Sequence, residues 1–293
     1  MANLSSYTAV YVRSNGNDLT GNGSSGAPFA TAQAAFNSAY ARLNGLNSFV
    51  LDFGAGSFSG VNLATAGAAN WPVSIAVRGV GSTTSYLGGI TASGTNGPNP
   101  TTGKNVTVIS DNTINLGGIS TAGGALISGS GGNGANGGNV TLTDCVVGNI
   151  NAAGSAALDG YSNGGFIGGS GGNVALTNCV AGSISNFGAT ASSGVGGNGG
   201  DVTLVKSTVG IIENYGGNAQ TIGGNGGVST ISNSYPGNID SRGGYNDTRP
   251  NGESGTAVFS GYSSVPDYVY AYVVATELKQ GKGVNGSAIL GIV

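Results

Sequence analysis

Short bursts of alternating apolar and polar residues run through the middle of the chain, separated by clusters of Gly, Asn and Ser. Asn105-Val-Thr-Val-Ile, Asn139-Val-Thr-Leu-Thr, Asn173-Val-Ala-Leu-Thr and Asp201-Val-Thr-Leu-Val are copies of one pattern, with a looser copy at Gly227-Val-Ser-Thr-Ile. A second burst follows each: Gly117-Gly-Ile-Ser, Gly148-Asn-Ile-Asn, Gly182-Ser-Ile-Ser, Gly210-Ile-Ile-Glu and Gly237-Asn-Ile-Asp. A glycine tract closes the unit, as in Gly131-Gly-Asn-Gly-Ala-Asn-Gly-Gly, Gly168-Gly-Ser-Gly-Gly, Gly196-Gly-Asn-Gly-Gly and Gly223-Gly-Asn-Gly-Gly. The order never changes, while the period drifts between about 26 and 34 residues.

Alternation with period two marks a strand with one buried face. Two strands and a loop that recur together, without helical periodicity, describe one coil of a β-solenoid. The chain therefore reads as all-β: a right-handed parallel β-helix with an N-terminal capping helix and Gly-rich lateral loops. Val106, Val140, Val174 and Val202 should stack in one interior column about 4.8 Å apart, with the Ile of each second burst in another. Drift in the period falls in outward loops, where added length costs little entropy. The glycine tracts read most simply as corners and lateral loops that use positive φ and close backbone approach. The alternative is that they extend sideways as polyproline-II-like strands, three residues per turn, bonded into a lateral bundle.

Residues 28–45 form the one convincing helix. Thr31 suits the N-cap, Ala32, Ala35, Phe36, Ala39, Tyr40 and Leu43 make an apolar stripe, and Gly45 ends it. Its expected role is to plug the first coil. Strands are expected at Phe49-Val-Leu-Asp-Phe and Val73-Ser-Ile-Ala-Val-Arg-Gly. The chain divides into a cap with first coils (1–98), Gly-rich repeats (99–253) and terminal strands for oligomerisation or attachment (254–293). Within the last, Tyr268-Val-Tyr-Ala-Tyr-Val-Val would template aggregation if bare, so either the last coil of the same chain or a subunit interface covers it.

Composition narrows the chemistry. Of 293 residues 59 are Gly and only 7% are charged, yet 39% are hydrophobic, too many for a disordered polymer. Nine basic residues against twelve acidic ones, without a basic run, leave no footprint for nucleic acid. The absence of His removes His-dependent triads and His-ligated zinc or haem, and two Cys cannot make a disulfide framework. No apolar run approaches the ~20 residues of a membrane span. Met-Ala-Asn-Leu-Ser-Ser-Tyr lacks a basic region followed by an apolar one, so no signal peptide is expected. No cofactor and no metal are expected.

One stretch resembles a known group. Tyr11-Val-Arg-Ser-Asn-Gly-Asn-Asp-Leu-Thr-Gly, then Gly26-Ala-Pro-Phe-Ala-Thr, the helix, a strand leading to Gly54-Ala-Gly-Ser-Phe, and Ile75-Ala-Val-Arg-Gly-Val-Gly are similar to the opening of pectate-lyase-like right-handed parallel β-helix proteins, frequent in bacteriophage tail spikes and tail fibres. The similarity covers roughly residues 7–90. Leu278-Lys-Gln-Gly-Lys-Gly-Val-Asn-Gly-Ser-Ala-Ile-Leu-Gly-Ile-Val is similar to a short terminal motif of phage virion proteins. The resemblance implies the fold and a virion or extracellular-carbohydrate setting; it does not imply catalysis.

Polysaccharide-cleaving β-helices need convergent carboxylates. Asp111 and Asp144, read as equivalent positions of adjoining units, are the candidates, with Glu213, Asp240 and Asp201 outlying; Asn178 and Lys206 continue the column as a solvated ladder. Cys145 and Cys179 share a register, and free buried thiols are expected over a disulfide. Gly196-Gly-Asn-Gly-Gly-Asp201 fits part of a calcium-binding nonapeptide, but one carboxylate makes no site. The Gly-x-Gly-x-x-Gly matches at Gly129 and Gly194 lack a following helix. An ice-binding array of Thr141, Thr143, Thr177 and Thr203 is interrupted by Ala175 and Ser229.

The expectation is a non-enzymatic phage virion protein, a tail-fibre or receptor-binding component made in the host cytoplasm. It would be a homo-oligomer, a trimer favoured, or joined to other virion proteins, and would meet a host glycan or protein through Tyr161, Phe166, Tyr215, Tyr235 and Tyr245. The alternatives are a polysaccharide-degrading tail spike, and a capsid decoration or self-assembling extracellular filament.

Overall fold

The structure, a computed structural model, describes residues 3–42, 49–63, 73–81, 85–127, 131–158, 165–246, 251–261, 263–264, 266 and 268–276. The chain winds into a parallel β-solenoid of about seven turns, consistent with a right-handed β-helix. One sheet stacks β1 (Thr8–Val12), β2 (Phe49–Phe53), β5 (Val73–Arg78), β8 (Val106–Ile109), β10 (Val140–Thr143), β12 (Val174–Thr177), β14 (Val202–Val205), β16 (Ser229–Ser232), β19 (Thr256–Ser260) and β21 (Tyr272–Thr276). The other stacks β3 (Gly56–Phe58), β6 (Ser85–Leu87), β9 (Asn115–Ser120), β11 (Val146–Asn151), β13 (Val180–Ser185), β15 (Thr208–Glu213), β18 (Ile239–Asp240) and β20 (Val269–Tyr270). The short strands β4 (Val61–Asn62), β7 (Ile90–Thr91) and β17 (Tyr235–Pro236) join the second sheet.

Val106, Val140, Val174 and Val202 pair in register and are all buried, as the alternation requires. Ile119, Ile150, Ile184, Ile212 and Ile239 form the second column. The looser copy at Gly227 needs a shift of one residue: Ser229, not Val228, pairs with Val202. The Thr230 methyl therefore stands outside, in the row of Thr203, and Ser229 does not interrupt that row. The slip has a physical cause, because the Ser229 hydroxyl lies inside and accepts a hydrogen bond from the buried Asn214 amide at 3.2 Å.

Between the sheets the chain turns through a left-handed residue, Asn112, Asp144, Asn178, Lys206 or Asn233. Asn and Asp tolerate that conformation; nothing in the structure explains Lys206. The next position is a ladder of small polar atoms. Cys145 N–H donates to Cys179 Sγ (3.3 Å), Cys179 N–H to Ser207 Oγ (3.1 Å) and Ser207 N–H to Ser234 Oγ (2.9 Å). Both thiols are free and buried; the hydrogen bond with Cys179, with burial, pushes the Cys145 thiol up.

Helix α1 spans Ala32–Arg42, with the Thr31 hydroxyl accepting from Ala34 N–H at 3.2 Å. It buries Ala32, Ala35, Phe36 and Ala39 against β1, β2 and β4. The outer edge of β1 is bonded by the segment before the helix: Tyr11 N–H donates to the Gly23 carbonyl (2.9 Å) and Arg13 N–H to the Phe29 carbonyl (2.9 Å). Leu43 and Gly45 lie outside the described residues.

The glycine tracts are lateral loops with the expected close backbone approach, but without the expected positive φ. Among the described glycines only Gly23, Gly56 and Gly261 have positive φ, and none of these belongs to a tract. From successive coils an outgoing run (121–127, 152–158, 186–192, 214–220, 241–246) and a returning run (131–139, 165–173, 193–201, 221–228, 251–255) extend sideways, and their bonds repeat every third residue. Gly196 and Gly199 N–H donate to the Ile222 and Asn225 carbonyls of the next coil (3.0 and 2.8 Å). Gly197 and Gly200 donate across to the Ala189 and Asn186 carbonyls of the outgoing run (2.9 and 2.8 Å). Asn198 and Asp201 donate to Ser170 Oγ and Asn173 Oδ1 of the coil before (3.2 and 2.9 Å). A three-residue cycle of donors is the screw of a polyproline-II strand, so the tracts form the lateral bundle.

The bundle accounts for the Gly-Gly-Asn pattern. At Gly199 a Cβ would lie 2.6 Å from the Asn214 carbonyl carbon and 2.8 Å from Gly227 N. An inward position packed like Gly199 must therefore be Gly. The third position faces out, and its Asn side chain supplies the acceptor that the next coil's N–H lacks. Asn105, Asn139, Asn173 and Asp201 make one such ladder at 2.8–2.9 Å.

Candidate functional site

The outgoing runs carry two outward columns, three and six residues beyond the Ile column. The first is Phe187, Tyr215 and Arg242; the second is Thr190, Asn218 and Tyr245. Glycines and Ala189 floor the space between them. The Phe187 and Tyr215 rings stack across coils with centroids 4.9 Å apart and planes within 2°. An open cavity of about 350 Å³ lies between the columns at Phe187, Thr190, Tyr215 and Asn218. It continues past Tyr215 and Asn218 into one of about 520 Å³ bounded by Asp240, Arg242, Tyr245 and Asn251. The two form one groove across the coils. Arg242 closes its upper end, held by Asp240 through two bonds of 2.9 and 2.7 Å, with its guanidinium 4.7 Å from the centre of the Tyr270 ring. Burial, then the Glu213 and Asp240 charges, raise the pKa of the Tyr215 phenol.

Of the expected contact residues, the structure brings Tyr215 and Tyr245 together in this groove. Phe166 lies on a returning run, where its carbonyl accepts from Val195 N–H. Tyr235 is on β17, paired with Thr208 and 54% exposed on the second sheet. Tyr161 lies outside the described residues. Phe187, Thr190, Asn218 and Arg242 escaped the sequence reading. Their signal is positional, since Phe187, Tyr215 and Arg242 each stand three residues after Ile184, Ile212 and Ile239.

The acidic candidates are rearranged. Asp111 and Asp144 are not equivalent: the left-handed corner filled by Asp144 is filled one coil earlier by Asn112. Asp111 sits in a longer corner, where its carboxylate accepts from the Thr113 hydroxyl and N–H. Asp144 is buried and accepts from the Asn178 amide. The carboxylates that do adjoin are Glu213 and Asp240, paired in register. Asp240 is occupied by Arg242, and Glu213 accepts from the Ser185 hydroxyl at 2.8 Å. Among the described residues no group of three or more Cys, Asp or Glu could hold a metal ion.

The class defined by this architecture is a parallel β-solenoid with a glycine-rich lateral bundle. No known protein family, curated protein or solved structure matches the chain. No described helix is long and apolar enough to cross a membrane.

Proposed function

We propose that the chain is a non-catalytic adhesive rod, a tail-fibre or receptor-binding component of a bacteriophage virion, that holds its lateral bundle against a host surface. The groove on the outgoing runs carries this reading: a concave strip mixing aromatic rings with amide and hydroxyl groups is suited to recognition. The solenoid supplies stiffness, because each coil is bonded to its neighbours along two sheets and through the bundle. A surface with 7% charged residues avoids non-specific attraction to nucleic acid or anionic lipid. The similarity of residues 7–90 to tail-spike openings supports the virion setting, and the exposed Tyr268, Tyr270 and Tyr272 beside the last strands support assembly with further copies.

Saturable binding of the fluorescently labelled protein to intact cells of at least one strain in a bacterial panel, with no sugar release, is the expected result. Absence of binding across the panel, or release of reducing sugar from cell-wall or capsular polysaccharide, overturns it. Sugar release that survives Asp111→Asn and Asp144→Asn but not Glu213→Gln would assign a hydrolase to the adjoining pair.

A further inference from the structure

The groove gathers open backbone donors beside aromatic rings. At several outward positions of the outgoing runs the N–H is met by a side-chain oxygen. Asn96 Oδ1 accepts from Ala125 N–H (2.8 Å), Asn218 Oδ1 from Tyr245 N–H (2.8 Å), and Asp240 Oδ1 from Arg242 N–H (3.2 Å). The N–H groups of Phe187, Thr190, Tyr215 and Asn218 have no such partner among the described residues. Ala156 precedes Thr190 in its column and Thr190 precedes Asn218, and neither brings an amide oxygen to the next coil's N–H. Four donors are thus left open on two adjacent coils, all beside the Phe187–Tyr215 stack.

The spacing of these donors follows from the fold. Two on one run are three residues apart, about 9 Å on a polyproline-II screw, and the same position on the next coil is about 4.8 Å away. A ligand filling this rectangle must offer several oxygen acceptors and an apolar surface for the ring edges. It meets no free cation at the mouth, because Arg242 is bonded to Asp240 at 2.7 Å and the Glu213 carboxylate stands beside that pair. An anionic polymer would lose its hydration there with no free cation in return. A proline-rich peptide offers carbonyls, but it would leave the amide of Asn218 and the hydroxyl of Thr190 poorly used.

We infer that the groove on the outgoing runs binds a neutral oligosaccharide, whose hydroxyl and ring oxygens accept from the N–H groups of Phe187, Thr190, Tyr215 and Asn218 while a sugar face packs on Tyr215. This deepens the adhesive reading and rests on it. It places the ligand on the glycine layer, away from the strand faces.

The test uses the full chain against immobilised dextran, mannan and galactan, with heparin, polygalacturonate and a polyproline decapeptide as competitors of other classes. At least one neutral polymer binds, and Tyr215→Ala weakens it about tenfold through the lost ring, as does Asn218→Ala through the lost side-chain amide at the groove. Asn139→Ala, on a returning run, leaves it unchanged. The amide resonances of Phe187, Thr190, Tyr215 and Asn218 move on titration with the bound polymer's hexasaccharide. Tighter binding of a charged polymer or the decapeptide, or a neutral polymer bound equally by both groove variants, overturns the inference. Cell binding that persists with no neutral polymer bound removes the inference and leaves the adhesive reading; loss of both removes both.

Discussion

Gly199→Ala isolates the packing of the lateral bundle. The new methyl would stand 2.6 Å from the Asn214 carbonyl carbon and 2.8 Å from Gly227 N, against an ordinary contact of about 3.4 Å or more. The Asn214 carbonyl oxygen would be closer still; all three atoms are backbone, so no side chain can swing away, and the runs must part by more than an ångström. The bonds that hold them together there, Gly200 N–H to Asn186 and Gly227 N–H to Asn214, are both 2.8 Å. Overpacking costs about 1–3 kcal/mol and two displaced bonds about 0.5–1.5 kcal/mol each, for an expected loss of about 2–6 kcal/mol. Gly165 is the control, since a Cβ there meets nothing within 4 Å; Gly165→Ala should stay within about 0.5 kcal/mol of the parent. Urea unfolding followed by far-ultraviolet circular dichroism measures both. Equal midpoints for the two variants would refute the close-packed bundle.

Other outcomes follow from the same structure. Asn173→Ala removes the oxygen that Asp201 N–H donates to at 2.9 Å and should cost about 0.5–1.5 kcal/mol in the same unfolding experiment. Leu142→Ala empties a fully buried position in the mid-solenoid core and should cost about 2–5 kcal/mol. Burial works to raise the Asp18 carboxyl, but bonds from the Thr31 hydroxyl and the Thr31 and Ala30 amides outweigh it, and its pKa falls below 3.8. Its contribution to stability is therefore complete above the unfolded value and lost as pH drops through the lowered one. The gap in urea midpoint between the parent and Asp18→Asn should close below about pH 4. Sedimentation at micromolar concentration should give an oligomer, a trimer on the tail-fibre reading; a monomer counts against an interface at Tyr268–Tyr272.

The solenoid was legible because burial imposes a period of two on each strand and stacking repeats it once per coil. Val106 to Val202 and Ile119 to Ile239 therefore carry the fold in plain sight. Two things were hidden. Val228 looks like the next interior valine, and only the inward hydrogen bond of Ser229 moves the register by one. Asp111 and Asp144 look equivalent until the longer corner after Ile109 puts Asn112 in the left-handed position. The glycine tracts were ambiguous because glycine suits both a tight turn and a close-packed strand. The Asn at every third place of Gly-Gly-Asn-Gly-Gly was the distinguishing sign. The groove was half visible: Tyr215 and Tyr245 stood out as aromatics, while Phe187, Thr190 and Asn218 gain meaning only when counted from the Ile column.

Amide hydrogen exchange resolved by residue tests the lateral bundle most directly. Gly196, Gly197, Gly199 and Gly200, bonded to two different neighbouring runs, should exchange as slowly as the strand amides of β12 and β14, while Phe187, Thr190, Tyr215 and Asn218 exchange fast. Glycine tracts that exchange throughout at the rate of an unstructured chain would contradict the bundle and the groove built upon it.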